Sequence, residues 1–576
     1  MKTPLSNILL TILLLSNLAT AFDPKEIGSA NYEAQLSWIV DFGNVPIPNE
    51  ATLTVYAVPN TKFQKVVYSS QSQFEKSVDE QGNEKLNFKF KPSGQSQTIT
   101  LNAFINVSYD PSTTGFALAR EEEDAFLQES RLVTITPEIR AIAQNIAGNT
   151  QDQWEKYVLL TEWVHENIEY DLDWKSFAAG SVETLKAKRG TCDEMAHLLL
   201  ALLRSQNIQS RLIVGYVFNG EKWGPHAWIE AIIDKKWVPS DPTFAEVGAL
   251  DATHVGLAKG RDQDDTRFEI IARGYDLDLS KTTVEPEANF KFTQSKNFSK
   301  FYRLEVEHPE NFRDALSKET IKATVSGTHE QVAIPLTLSL YEEFKLIGKK
   351  TRIVPLKQGE ETPISWDIVY PEKMDEGYYY NYSAAIHSMG NPFEFYLKGK
   401  KGAQKNVEEG IKVTDFRAFQ REGGVTITII LQNTGNTQYQ NASISLETQN
   451  TQKTENFNLQ IGAEKRFDYY LRTSPQDELV DGEIIINAGN TKTLQPFTVT
   501  IEKLKVPTPP EVKQVENATK DVSAELQQVS ENLQKVTQNL PKQLQEQDQE
   551  TLLAYLISAI ILTLTAITIL RAVVVQ

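Results

Sequence analysis

Apolar residues alternate with polar ones on both sides of a single helical block, and that change of period most constrains how this chain can fold. Before the block, runs such as Ala51 to Val58 and Gln97 to Phe104 keep period two, with Pro, Gly and Asn between them. That is the pattern of short strands, and it predicts an N-terminal β domain over residues 22–133. At Thr136-Pro137-Glu138 the period becomes helical, with Pro137 suited to a first turn and Glu138 to the positive end of a helix. Helices are predicted over Pro137 to Ala147 and Gln151 to Ile168, around Val182 to Leu185, and from Cys192 onward. Strands follow at Ser210 to Val217, Ala227 to Ile233 and Lys236 to Val238. Helices first and strands after indicate an α+β unit, placed at 134–290, rather than an alternating α/β sheet. Alternation then returns in two blocks, 297–402 and 403–505, each of about a hundred residues, the size of an immunoglobulin-like β-sandwich.

The two ends carry different signals. A basic Lys2, the apolar run Ile8 to Leu15 and the Ala19-Thr20-Ala21 site predict a cleaved secretory signal over 1–21. Leu552 to Leu570 is almost wholly apolar and long enough to cross about 30 Å of hydrocarbon, so 551–571 is predicted to be a transmembrane helix. A glycolipid-anchor signal has a similar layout, and Arg571 within the tail argues against it. Between the last β block and this span, 506–550 holds the stiff Val506-Pro507-Thr508-Pro509-Pro510 spacer and a heptad helix. In the helix Val515, Val522, Leu526, Val529, Leu533, Val536 and Leu540 line a seam that ends at Pro541. The seam over 512–540 suits a coiled coil joining copies of the chain, and equally a single helix acting as a stalk. The expected location is the cell surface, with one membrane pass and a very short cytoplasmic end.

Lys and Arg number 58 against 76 Asp and Glu, a net charge of −18, which disfavours nucleic acid and anionic lipid as main partners. The expected partners are a protein or peptide substrate and the membrane, and no cofactor or metal is indicated. An exported chain normally pairs its cysteines, yet Cys192 is the only one in 576 residues. It opens Cys192-Asp193-Glu194-Met195-Ala196-His197-Leu198-Leu199-Leu200, a helix apolar around most of its circumference. A thiol in a first turn feels the positive helix end and unpaired N–H groups, a placement that lowers cysteine pKa values from about 8.5 toward 7 or below. Asp193 and Glu194 oppose this by charge while capping the helix. Gly190 leaves room for another backbone or a substrate to approach.

His226 and Asp241 supply the rest of a thiol acyl-transfer site. If Asp234-Lys235 makes a two-residue turn, Ile233 faces Lys236, Trp228 faces Asp241 and His226 faces Thr243. Asp241 then lies on the His226 face in the diagonal position, about 7–8 Å away by backbone and within side-chain reach. An odd-length turn would separate them. His165 and His197 lie inside helices, where a solvated or packed role is expected, and no Cys/His spacing suits zinc. Asp262, Asp264 and Asp265 lack the spacing of a calcium loop. Glu230 shares the His226 face and could meet substrate or simply lie at an exposed edge.

Gly190-Thr191-Cys192-Asp193-Glu194, Arg204, Ile208, Arg211, Val214-Gly215-Tyr216, His226-Ala227-Trp228 and Trp237 with Asp241-Pro242-Thr243 closely resemble the transglutaminase-like superfamily, particularly its microbial members. Trp163 to Tyr170 resembles that family's lead-in helix, and the likeness covers about Pro137 to Asp265. It implies a papain-like core with Cys192, His226 and Asp241 as its catalytic Cys, His and Asp. Animal members steady the oxyanion with an upstream tryptophan, and neither Trp163 nor Trp174 matches it, so the Cys192 backbone N–H is the expected donor. The implied activity is attack on a carboxamide or peptide bond through a Cys thioester, giving a cysteine protease or amidase with water and a protein crosslinker with lysine. The alternative is a catalytically inactive surface adhesion or assembly protein that keeps the fold.

Overall fold

The computed structural model describes residues 24–501, apart from 45, 69–72, 120–123, 175–178, 268, 275–278, 328, 330, 358, 422, 475 and 490. The signal at 1–21, the linker and heptad helix at 506–550 and the apolar span at 551–571 lie outside the described residues. Among the described residues no helix is long and apolar enough to cross a membrane.

The first β domain is a two-sheet sandwich. One sheet orders Thr283–Asn297, Ile27–Asp41, Ser96–Ser108 and Gln64–Tyr68, and the other orders Glu269–Arg273, Glu50–Tyr56, Glu84–Phe90 and Glu75–Val78. Along Ile27–Asp41 the residues Ala30, Tyr32, Ala34, Leu36, Trp38 and Val40 are buried while their neighbours face outward, the period that one buried sheet face requires. Two of its strands come from far downstream: Thr283–Asn297 pairs with Ile27–Asp41, and Glu269–Arg273 with Glu50–Tyr56. The α+β unit is therefore inserted into this sandwich, and a boundary at 290 falls inside one of the sandwich's own strands. Local periodicity identifies such strands without saying which sheet they join.

In the inserted unit four helices, α1 (Pro137–Ala147), α2 (Gln153–Asn167), α3 (Ser181–Ala187) and α4 (Cys192–Ser205), precede an antiparallel sheet. The sheet order is Val255–Gly260, Ser210–Phe218, Trp223–Ile233, Lys236–Asp241 and Glu246–Val247. Its two faces bury different things. Ala227, Ile229, Ala231 and Ile233 pack with the helices, whereas Trp228 joins the core of the N-terminal sandwich. By strand alternation His226 and Glu230 share the Trp228 side. The sheet does not stop there, because Val247 pairs with Ala333 and carries it into the strands of the third unit.

That third unit packs Tyr302–Glu307, Lys318–Gly327, Glu361–Val369 and Lys345–Ile347 against the continued sheet around Ile321, Leu336, Trp366 and Leu397. The fourth encloses Val425, Ile427, Ile444, Phe467 and Ile484 between a three-stranded and a four-stranded sheet. The described residues are thus mostly β, and among them the α-helices lie in the inserted unit.

Candidate active site

Cys192 is placed by local chemistry. Thr191 is the N-cap of α4, and its backbone N–H and hydroxyl both reach Glu194 Oε2 at 2.7 Å, closing a capping box. Met195 to Leu203 are all buried, so the helix cannot slide or turn without exposing its apolar surface. A Cβ on Gly190 would stand 2.7 Å from Glu194 Cβ. The room at Gly190 is taken by the capping side chain, not by a second backbone or a substrate as the sequence suggested. Cys192 itself is half-buried and packs against the edge of the helical core.

The hairpin forms as expected. Asp234 and Lys235 have φ of 47° and 62°, the two left-handed residues of a twist-matched two-residue turn, and the register runs from Ile233 opposite Lys236 to Ile229 opposite Ser240. His226 Nε2 lies 2.7 Å from Asp241 Oδ2, with side-chain exposures of 4% and 0%. Asp241 Oδ1 accepts the backbone N–H of Thr243 at 2.7 Å and of Phe244 at 3.4 Å. Helix α2 clamps this strand: Tyr157 donates to Val238 O at 3.0 Å, the Thr161 and Ser240 hydroxyls meet at 3.2 Å, and His165 Nδ1 lies 3.0 Å from Pro242 O. Phe244 and Trp228 stack against the His226 ring, with centroids 5.2 and 6.1 Å away, and hold its plane.

Burial pulls the His226 pKa down, but the charges of Asp241 and Cys192 and hydrogen bonds with both push it up to about 10. Because Nε2 faces Asp241, Nδ1 is the nitrogen left for Cys192. Burial acts on Asp241 in the upward direction, yet the charge and hydrogen bond of His226, joined by those of His254, hold it well below the usual carboxylate range. Tyr170 also borders the thiol. Burial, then the charges of Cys192, Asp241, Asp193 and Glu194, push its hydroxyl up to about 12.

Sequence reasoning missed the residues behind Asp241. His254 Nε2 lies 3.1 Å from Asp241 Oδ2, the oxygen that His226 uses, and His254 Nδ1 lies 3.1 Å from Asp251 O. Beyond it Asp251 N–H donates to Glu246 Oε2 at 3.1 Å, and the Asp251 carboxylate accepts the backbone N–H of Thr253 at 2.8 Å. Glu246, Asp251 and His254 are all 0% exposed. The available signal was the polarity of Asp251 and His254, with Thr253, inside the otherwise apolar run Val247 to Val255, and of Glu246 just before it. The N-terminal sandwich, whose own residues suggested no chemistry, braces this loop: Tyr32 donates to Ala252 O at 2.8 Å, Ala252 N–H to Ile27 O at 2.7 Å, and Gln64 bonds both ways with Gly256.

The other candidates are committed elsewhere. Glu230 is buried and paired with Arg211 at 2.6 Å, whose guanidinium stacks on Trp237 at 3.8 Å, so it is not an exposed edge residue. Asp262 accepts the backbone N–H of Leu132 and Asp264, Asp264 pairs with Arg131 and Arg267, and Asp265 pairs with Arg261. His197 is packed, with Nδ1 3.4 Å from Ala179 O, and its Nε2 accepts from Gln263 N–H at 3.3 Å. Trp163 lies under Lys188 and Trp174 under Arg189. Two triplets, His226/Asp241/His254 and Glu246/Asp251/His254, are spaced closely enough to share a cation. Hydrogen bonds already join the members of the first, whereas in the second Glu246 Oε1 and Asp251 Oδ2 are buried without a hydrogen-bond partner among the described residues.

Residues 140–242 match the family model described as the transglutaminase-like superfamily. An uncharacterized protein of Mycobacterium leprae is 26% identical over 150 residues, which are 25% of this chain and 52% of that protein. The chain thus spans about half the length of that relative. An uncharacterized protein of Mycobacterium tuberculosis is 26% identical over 244 residues, 38% of this chain and 73% of that one. Among solved structures, a candidate cysteine protease from Cytophaga hutchinsonii aligns at a TM-score of 0.35 and 19% identity, covering 47% of this chain and 94% of its own. Red sea bream transglutaminase aligns at a TM-score of 0.18 and 11% identity, over 83% and 93%.

Proposed function

We propose, from the premise that residues 140–242 are a transglutaminase-like domain, that this chain is a thiol acyl-transfer enzyme acting on protein or peptide substrates. The observation that carries the reading is that His226 is engaged by both partners, by Asp241 at 2.7 Å on Nε2 and by the charge and hydrogen bond of Cys192. Cys192 first passes its proton to His226, and the thiolate so formed attacks an amide carbonyl beside the imidazolium. Asp241 fixes the ring and stabilises the imidazolium, and the first-turn N–H of Cys192 donates to the oxyanion. Collapse breaks the C–N bond while His226 returns the proton to the departing amine, leaving a thioester. Water then releases the acid, or a lysine amine takes the acyl group, with His226 as base in both cases. Hydrolysis is our preferred outcome, by analogy with microbial members of the family. In the same reading the apolar ends export the enzyme and hold it at the cell surface, so truncation before Glu550 releases a soluble form.

The test is the pH dependence of alkylation at the single thiol, with and without His226→Ala, together with mass detection of a covalent adduct from glutamine-containing peptides. His226-dependent alkylation and an adduct on Cys192 are expected. A thiol that titrates independently of His226 and forms no adduct across a broad peptide panel overturns the reading.

A further inference from the structure

We propose that His254 is a positioning residue of the triad: its Nε2–H and that of His226 converge on one oxygen of Asp241, so His254 fixes the carboxylate and sets the pH range over which the Cys192–His226 pair works. This inference rests on the triad reading above.

The geometry carries it. Asp241 Oδ2 has His226 Nε2 at 2.7 Å and His254 Nε2 at 3.1 Å, while Oδ1 is held by the Thr243 and Phe244 backbone N–H groups. The carboxylate is gripped at both oxygens, and the Asp241 and His254 side chains are 0% exposed. His254 is held in turn on its far side, with Nδ1 3.1 Å from Asp251 O and 3.4 Å from Asp251 Oδ1. A histidine whose two nitrogens both face acceptors must carry a proton on each to satisfy both, and is then a cation between two carboxylates. Burial acts against that charge, but Asp251 and the hydrogen bonds to Asp241 and Asp251 push the His254 pKa well above its usual value.

Every packed element contributes to this balance. Asp241 and the His226 ring, 5.6 Å away between centroids, face His254 from the hairpin. Asp251 and Glu246 face it from its own loop and the preceding strand. Tyr109 approaches edge-on at 6.4 Å from the N-terminal sandwich, and Lys25 acts on Glu246 from ahead of the first strand. Glu246 is pushed up to about 8 by burial and then by the charge of Asp251. Its Oε2 accepts the backbone N–H of Asp251 at 3.1 Å, while Glu246 Oε1 and Asp251 Oδ2 are buried without a hydrogen-bond partner among the described residues.

A cation 5.6 Å from the His226 ring offsets part of the Asp241 charge that His226 feels. Replacing it by a neutral group that still donates to Asp241 should preserve geometry and move both limbs of the activity profile to higher pH. His254→Gln is that replacement. We expect the profile of Cys192 alkylation and of acylation kcat/KM to shift upward by about 1–2 pH units, with plateau kcat within about threefold. His254→Ala, which loses the donor too, should lower kcat about tenfold or more with little change in KM.

The experiment measures alkylation of the full-length protein by iodoacetamide from pH 4 to 10, unsubstituted, with His254→Gln and with His226→Ala, alongside ¹⁵N-histidine NMR of the unsubstituted protein. Protonation of both His254 nitrogens at pH 7 and an upward profile shift support the proposal. A folded His254→Gln variant whose profile superimposes on the parent overturns it. A neutral His254 at pH 7 overturns it as well, and that measurement needs neither the variant nor catalysis. If instead parent alkylation is independent of His226, the triad reading itself has failed, a result distinct from either.

Discussion

The two sides of the His226 ring are built by different means. On the nucleophile side one continuous segment, Arg189 to Ser205, supplies the cap, the thiol and the apolar helix that anchors them. On the acid side Asp241 meets a loop bearing Asp251 and His254, a strand bearing Glu246, and bracing from Tyr32, Gln64 and Ile27 more than two hundred residues earlier or nearly so by chain distance. Cys192 is half-buried, and Glu246, Asp251 and His254 behind Asp241 are sealed. The difference teaches that local contacts within one helical turn can place a thiol, whereas tuning a buried imidazole takes charges brought together from several segments.

The strongest way to break this comparison is at the thiol. Cys192→Ala should abolish covalent adduct formation by mass spectrometry, since the sequence holds no other cysteine, and leave the melting temperature within a few degrees. His226→Ala should slow acylation by about 10²–10⁴-fold and reduce alkylation at pH 7, measured by stopped-flow labelling. Asp241→Asn should slow acylation less steeply than His226→Ala and also destabilise the fold by about 1–3 kcal/mol in denaturant titration, because it loosens two histidines at once.

Smaller effects sharpen it. Glu246 has a folded pKa of about 8 against an ordinary 4.5, so the folded state keeps a proton that the unfolded chain releases. Its contribution is intact below pH 4.5 and is lost as pH rises toward 8. Glu246→Gln should therefore match the parent near pH 5 and be more stable by about 1–3 kcal/mol near pH 8.5, read as the difference in thermal unfolding at the two pH values. On the nucleophile side Gly190→Ala should cost about 1–2 kcal/mol through contact with Glu194, with no such pH dependence, and equal losses at both pH values would confirm the local origin.

Legibility followed the same divide. The start of α4 was readable because Asp193 and Glu194 suit a first turn, and the Asp241 register because Asp234-Lys235 can form a two-residue turn, which the structure contains. The helical block and the β blocks were readable because burying one face imposes a period. His254 was not, since a lone histidine in an apolar stretch has no periodic or motif partner. The insertion of the core into the first sandwich was equally hidden, because Thr283–Asn297 has the alternation of any strand and pairs with Ile27–Asp41 only through space.

The sequence by itself determined where helices and strands form, that Cys192 opens a helix and which His and Asp share a face, because each depends on neighbours within a turn or a hairpin. Tertiary structure alone decided that Gly190 serves the cap, that Glu230 is locked by Arg211, and that Asp241 is shared between two histidines. Those outcomes depend on which charges and which volumes meet after the chain has closed distant segments onto one another, and short-range patterning carries no record of that.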